Sequence, residues 1–238
     1  MASERPMANP ASMLEMIRAR SGSGPIQLQG AMLVDADLRN VDLCGAVLDG
    51  ANLARADLRG VNLMGASLKG TVLFAARLEG AELATADLSG AEMQQVRASG
   101  AGFTGACLDG ASLVQGHLDG ASLTSASMRD ADLQSACLTR ARLHRADLTG
   151  ADLRSADLRE ADLSEAACAR AIFDEADARG ARLANMRGYQ HASWIATDLR
   201  DVHFAGAYLL RRHAADQNYL SEFRRTSRWH ETLYRIWW

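Results

Sequence analysis

His117 and Cys137 stand 20 residues apart, and they are the nearest approach in this chain to a base and a thiol that could work together. A catalytic cysteine needs a base in hydrogen-bond reach, and the base needs a third group to orient it. Neither neighbour of His117 (Gly116, Leu118) offers such a group, and two ligands do not make a zinc site. The four cysteines, Cys44, Cys107, Cys137 and Cys168, form no C-x-x-C pair and have no histidine at zinc-finger spacing. The many aspartates recur at one regular outward position on all sides, which reads as solubility rather than as a carboxylate pair for acid-base work. The expectation is a chain with no catalytic residue, no cofactor and no metal, hence not an enzyme.

The elements that carry these residues are unusual. The chain has 238 residues, with 26 Lys+Arg against 29 Asp+Glu and a formal net charge of −3. Direct nucleic-acid binding needs a clustered positive excess, and none is present. The three prolines, Pro6, Pro10 and Pro25, precede residue 26, and every Trp and Tyr follows residue 188. The long middle is rich in Ala, Leu, Gly and Asp, a composition that signals a repeat.

Written in fives, the chain aligns without a gap from Leu28 to Leu183, with Leu at 25 of 32 central positions and Ala two residues earlier at 26 of 32. Neither a helix of period 3.6 nor a flat strand of period 2 keeps two apolar columns in phase at five. A coil does, if each five-residue unit makes one short extended side and one turn, so that Ala and Leu point inward together. Coils of such units stack at the strand spacing of about 4.8 Å, and the core becomes a stack of Leu rings. Such an interior is packed and leaves no pocket for chemistry.

Units such as Ala36-Asp37-Leu38, Ala51-Asn52-Leu53, Ala86-Asp87-Leu88 and Ala151-Asp152-Leu153 resemble those of the pentapeptide-repeat family, A(D/N)LxG. The resemblance covers residues 26–209 and implies an all-β solenoid, a right-handed quadrilateral β-helix of about nine coils. It also implies functions of several kinds, because a fold does not fix a function. Some members of the family resemble duplex DNA in width and charge, bind type II topoisomerases such as gyrase, and protect them from quinolone-like poisons. The repeat region here holds 22 acids and 15 bases, so the rod is acidic, although strong mimicry would want fewer arginines.

Three segments follow: residues 1–25 with a short capping helix, the coil over 26–209, and a helical segment over 210–238. Ser12-Met13-Leu14-Glu15 reads as a capping box opening a helix to about Arg20. After Leu183 the central column continues at Trp194, so one extra residue must be absorbed within 184–193, and a bulge near Arg187-Gly188-Tyr189 is expected. Gly ends 12 of the first 20 units but only 2 of the last 12, which predicts a change of turn type near Ser125. At the C-terminal end Leu220, Phe223, Trp229, Leu233, Ile236 and Trp237 lie at helical spacing and are expected to cap the last coil or to form a homodimer contact. The stretch from Arg212 to Leu220, with the Trp-rich end after it, resembles the segment that in some bacterial members leads into membrane helices. A membrane is expected only if the chain continues past Trp238. No signal peptide is visible in MASERPMANPASMLEMIRAR and no 18-residue apolar run occurs, so a cytoplasmic location is expected.

Folding the sequence into four sides separates the outward columns. One side carries Asp37, Asp57, Arg77, Arg97, His117, Cys137, Asp157 and Asp177 against Arg39, Arg59, Glu79, Ser99, Asp119, Thr139, Arg159 and Arg179, with signs opposite almost row by row, which neutralises it and makes it a poor partner surface. The side centred on Leu33, Leu53 and Leu73 instead turns Met32, Val34, Val72, Phe74 and Val114 outward, followed by Glu92, Asp132, Asp152 and Asp174. Exposed apolar groups beside an acidic stripe mark a protein interface. The expectation is a non-enzymatic interaction module whose partner is another protein, with topoisomerase binding and the cytosolic part of a longer membrane protein as alternatives.

Overall fold

The structure, a computed structural model, describes residues 24–203. The expected helix of Ser12 to Arg20 and the C-terminal residues Leu220, Phe223, Trp229, Leu233, Ile236 and Trp237 lie outside the described residues, as does the stretch from Arg212 to Leu220.

The chain winds as a coil in which each residue before a central Leu pairs in parallel with the residue 20 positions on, from Gln27↔Val47 to Ala167↔Arg187. Each coil therefore passes four centres. We number its sides by their first centres: Leu28 opens the first, Leu33 the second, Leu38 the third and Leu43 the fourth. The central column and the Ala column are buried from Leu43 to Leu183, with Ile26, Val41, Ala192 and Leu199 only partly buried towards the ends, which is why both stay apolar while the other three residues of each unit vary.

Backbone hydrogen bonds account for four of the five N–H groups in a unit. In the second-side unit Ala51 to Arg55, the central Leu53 donates to the Val72 carbonyl (2.7 Å), the turn residue Arg55 donates to Phe74 (2.8 Å), and Asn52 donates back to Ala31 (2.8 Å). The Ala N–H closes the turn, as Ala56 does to Leu53 (3.0 Å). The fifth N–H follows the central Leu, and the side chain two residues earlier accepts it. Asp37 Oδ1 takes the Arg39 N–H (3.2 Å) and Asn52 Oδ1 the Ala54 N–H (3.1 Å). Every Asp and Asn of that column among the described residues does the same. The aspartates are thus more than a solubility position: the short side chain satisfies a donor that the coil geometry orphans. Glu82 and Glu92, one methylene longer, do not make this bond.

The expected change of turn type does not occur. From Leu28 to Ala181 each turn closes by the same hydrogen bond with its third residue at positive φ, whether that residue is Gly120 (65°), Ser125 (57°), Arg140 (58°) or Glu160 (58°). Among the described residues twenty non-Gly residues hold positive φ, a conformation that costs an L-residue about 1–2 kcal/mol. The inter-coil ladder on both sides of the turn fixes the geometry, and the turn residue accepts it.

Where a column breaks, its neighbours compensate. Ala98 and Ala178 replace central leucines, and each shares its coil with a buried Phe at the adjacent centre, Phe103 and Phe173. Val96 replaces an Ala, and Gly116 lies one coil on, where a Cβ would come within 3.4 Å of Val96 Cγ1 and 2.9 Å of the Leu113 carbonyl. Interior volume is conserved locally. The two buried hydroxyls in the Ala column are satisfied: Thr71 donates to Leu68 O (2.7 Å) and Thr197 to Phe173 O (2.8 Å).

Beyond Arg187 the pairing interval becomes 21, as in Ile172↔Ser193. The extra residue is taken up by a 3₁₀ turn over Tyr189–His191, entered through Gly188 at φ 75°. A Cβ on Gly188 would stand 2.8 Å from Ala169, so glycine is required twice over. The central column resumes at Trp194, whose ring stacks on Phe173 at 4.0 Å. Among the described residues no helix is long and apolar enough to cross a membrane.

Candidate interaction surface

The second side presents two outward columns. Met32, Val72, Glu92, Asp132 and Asp152 lie in the column before the centre, and Val34, Phe74, Val114 and Asp174 lie in the column after it, so the coil does place all nine on one side. Met32 is 47% exposed and Phe74 40%, while Val34, Val72 and Val114 are half-buried between them. Ile195, 68% exposed, continues the Phe74 column past the register slip. The slip conceals it in the sequence, because the period of five assigns residue 195 to the wrong column. The other large exposed apolar residue among those described, Met64, sits on the fourth side.

Three acids of this side, Asp132, Asp152 and Asp174, are also engaged with donors of the coil itself. Asp132 accepts the Gln134 N–H (3.1 Å). Asp152 accepts the Arg154 N–H (3.1 Å) and pairs with its guanidinium (2.5 Å). Burial works against ionisation of Asp152, but the hydrogen bonds from Arg154 outweigh it and hold the carboxyl below the usual range. Asp174 accepts both the Ser193 hydroxyl (2.6 Å) and the Ile195 N–H (2.8 Å), a bracket that recurs where Asp49 holds Ser67 and Lys69, and where Asp109 holds Ser127 and Arg129. Each of these carboxylates thus gives one oxygen to a backbone N–H of the coil. Glu92 alone of the four is exposed with no side-chain hydrogen bond among the described residues. The apolar residues of the second side come from both outward columns, Met32 and Val72 before the centre and Val34, Phe74 and Val114 after it, and together we call them its apolar column.

The third side is a zipper of ion pairs. Arg39 lies 2.8 Å from Asp37 and 3.7 Å from Asp57, and Arg159 lies 2.6 Å from Asp157 and 3.8 Å from Asp177. Hydrogen bonding by Arg59 holds the Asp57 carboxyl below its usual range, and Arg159 does the same to Asp157. His117 and Cys137 are bridge partners on successive coils of this side. Among the described residues no group of three or more His, Cys, Asp or Glu is placed to hold a metal. Burial pushes the Cys168 thiol up to about 12, which leaves it a core residue without nucleophilic character.

Comparison with known proteins agrees with this architecture. The family model for pentapeptide repeats matches in 8 copies, which run from residue 31 to residue 185. The solved structure of HetL, a pentapeptide-repeat protein involved in heterocyst differentiation regulation in the cyanobacterium Nostoc sp. strain PCC 7120, is 29% identical over 81% of this chain and 93% of HetL, with a TM-score of 0.51. QnrB1, a plasmid-mediated fluoroquinolone resistance protein, is 19% identical over 80% of this chain and 96% of its own, with a TM-score of 0.47. No curated protein sequence matches. An unbroken five-residue period, Asp and Asn caps on the orphaned N–H groups, and a family match over more than half its length together make this chain a member of the pentapeptide-repeat family.

Proposed function

We propose that this chain is a non-enzymatic protein-protein interaction module that engages its partner through the apolar column of the second side. Proteins of this family act in protein-protein interactions, and the single observation that carries the assignment is the exposure of Met32 and Phe74 on one side, with Val34, Val72 and Val114 beside them. The same reading takes the coil as right-handed and about nine turns long, with residues 1–25 and 210–238 covering its ends. Topoisomerase binding by DNA mimicry is the alternative. It needs rows of free carboxylates, whereas the third-side acids close on arginines, and this favours a partner with an apolar surface over one built for duplex DNA.

The test places a photo-crosslinking residue at position 74, and at position 39 on the third side as control, in the native host. Crosslinks specific to position 74 should name the partner. Phe74→Glu and Met32→Glu should then weaken that partner by about 10–100-fold, the equivalent of one buried apolar side chain, with the melting temperature unchanged. Equal crosslinking at both positions, or unchanged affinity, rejects the assignment. Inhibition or drug relief in a gyrase supercoiling assay that survives Phe74→Glu would transfer it to the alternative.

A further inference from the structure

The third side is interrupted at its middle. In the outer rows, opened by Asp37, Asp57, Asp157, Asp177 and Asp198, a carboxylate stands before the centre and an arginine after it, and the carboxylate is clasped twice: Asp157 Oδ1 accepts the Arg159 N–H (3.2 Å) and its Nε–H (2.8 Å). In the four rows between, the carboxylate position holds Arg77, Arg97, His117 and Cys137, followed after the centre by Glu79, Ser99, Asp119 and Thr139. The backbone N–H groups of Ser99 and Asp119 have no partner among the described residues. An open N–H at this position also occurs on the second side, at Phe74 and Val114. What distinguishes the third side is that the open groups stand beside Arg97, His117 and a cleft.

The cleft has a volume of about 650 Å³ and runs along the corner between the second and third sides. Ala75, Gln95, Gln115 and Ser135 form one wall, and Arg97, Ser99 and His117 the other. No lining residue carries a carboxylate. Glu79 lies 3.3 Å from Arg97 Nε, and Asp119 accepts the Ser99 hydroxyl (2.7 Å), but neither lines the cleft. Gln95 donates to Gln115 Oε1 (3.2 Å), which fixes that amide with its NH₂ group still available. The Arg97 side chain is 60% exposed and its guanidinium makes no hydrogen bond to a described residue. The wall is thus a set of donors, arranged where every outer row of the same side holds a carboxylate of its own.

We propose that this cleft is a binding site for a carboxylate-bearing ligand, held by Arg97, His117, the Gln115 amide and the uncapped Ser99 N–H in the slot that Asp57 and Asp157 fill elsewhere. The site is distinct from the apolar column and stands whether or not that column is used. Its ligand is either a small organic acid or the acidic side chain of another protein, and the two are separable.

The full chain, isotopically labelled, is titrated at low ionic strength with succinate and separately with a glutamate-rich peptide, while the His117 ring and the Gln95 and Gln115 side-chain amides are followed by NMR. Saturable shifts at these groups in the range of about 1 mM or below are expected. Arg97→Gln should weaken binding at least tenfold. Arg97→Asp should abolish it, because the new carboxylate caps Ser99 as Asp157 caps Arg159, and it should not lower the melting temperature. Arg159→Gln, outside the cleft, should bind as the parent does. Binding of succinate assigns a small acid as ligand, and binding of the peptide alone assigns an acidic side chain. No shift with either probe, or equal binding by Arg97→Gln and Arg97→Asp, overturns the site.

Discussion

The turns before Ser125 and the turns after it trace one backbone with different residues. In the first stretch Gly predominates, and the space over Gly70, Gly80, Gly90 and Gly100 is open. In the second, long charged side chains take the same positive φ and reach along the axis to the next coil: Arg140 to Glu160 (2.7 Å), Arg145 to Glu165 (2.7 Å), Ser155 to Glu175 (3.3 Å). A turn residue in this coil therefore does not choose its conformation. The ladder chooses it, and the residue either accepts cheaply because it is glycine or accepts at a cost that contacts along the axis reduce.

If the interior and its ladder set the geometry in both stretches, removing interior volume should hurt both alike, and this is the largest effect expected. Phe103→Ala and Phe173→Ala should each cost about 3–5 kcal/mol in chemical denaturation. The double variant Ala98→Leu with Phe103→Leu restores an ordinary Leu ring and should cost less than about 1.5 kcal/mol, whereas Ala98→Leu alone overpacks. A mild Phe103→Ala beside a severe Phe173→Ala would break the comparison, showing that the two stretches differ inside as well as out.

The turns themselves should respond by about 1 kcal/mol, in opposite directions. Gly100→Ala forces an L-residue into positive φ (66°) over open space and should lower the urea midpoint. Ser135→Gly relieves φ 56° and should raise it. Glu160→Gly relieves φ 58° but also loses the Arg140 pair, so its change should be smaller than that of Ser135→Gly. Equal gains from the two would show that the axial pairs contribute nothing.

Much of this could be read before the coil was seen. The period of five, the two buried columns, the slip after Leu183 and the apolar column of Met32 and Phe74 follow from residue type and spacing alone, because burial acts on every unit in the same way. The rest depends on direction. A sequence gives the charge of Asp132, Asp152 and Asp174 but not that their oxygens turn to the N–H groups of Gln134, Arg154 and Ile195. It gives the loss of Gly but not that the ladder holds φ regardless. The cleft escapes because its walls belong to two different sides, with Gln95 on one and Arg97 on the other, only two residues apart and around a corner.

The smallest effect concerns the ion pairs that distinguish the outer rows of the third side from its middle. Arg159 and Asp157 are both partly exposed, 47% and 28%, so the pair should contribute no more than about 1 kcal/mol. Its sign with pH is nevertheless definite. Hydrogen bonding by Arg159 lowers the Asp157 pKa below its ordinary 3.8, so the folded state favours the ionised carboxylate. That contribution is complete above 3.8 and is lost as the pH falls through the lower folded value. Arg159→Gln should therefore be slightly less stable than the parent at neutral pH, and the difference should shrink as the pH drops below 3.8. A gap between Arg159→Gln and the parent that stays constant down to the lowest pH would mean that Arg159 acts through its aliphatic stem on the surface of the coil and not through Asp157.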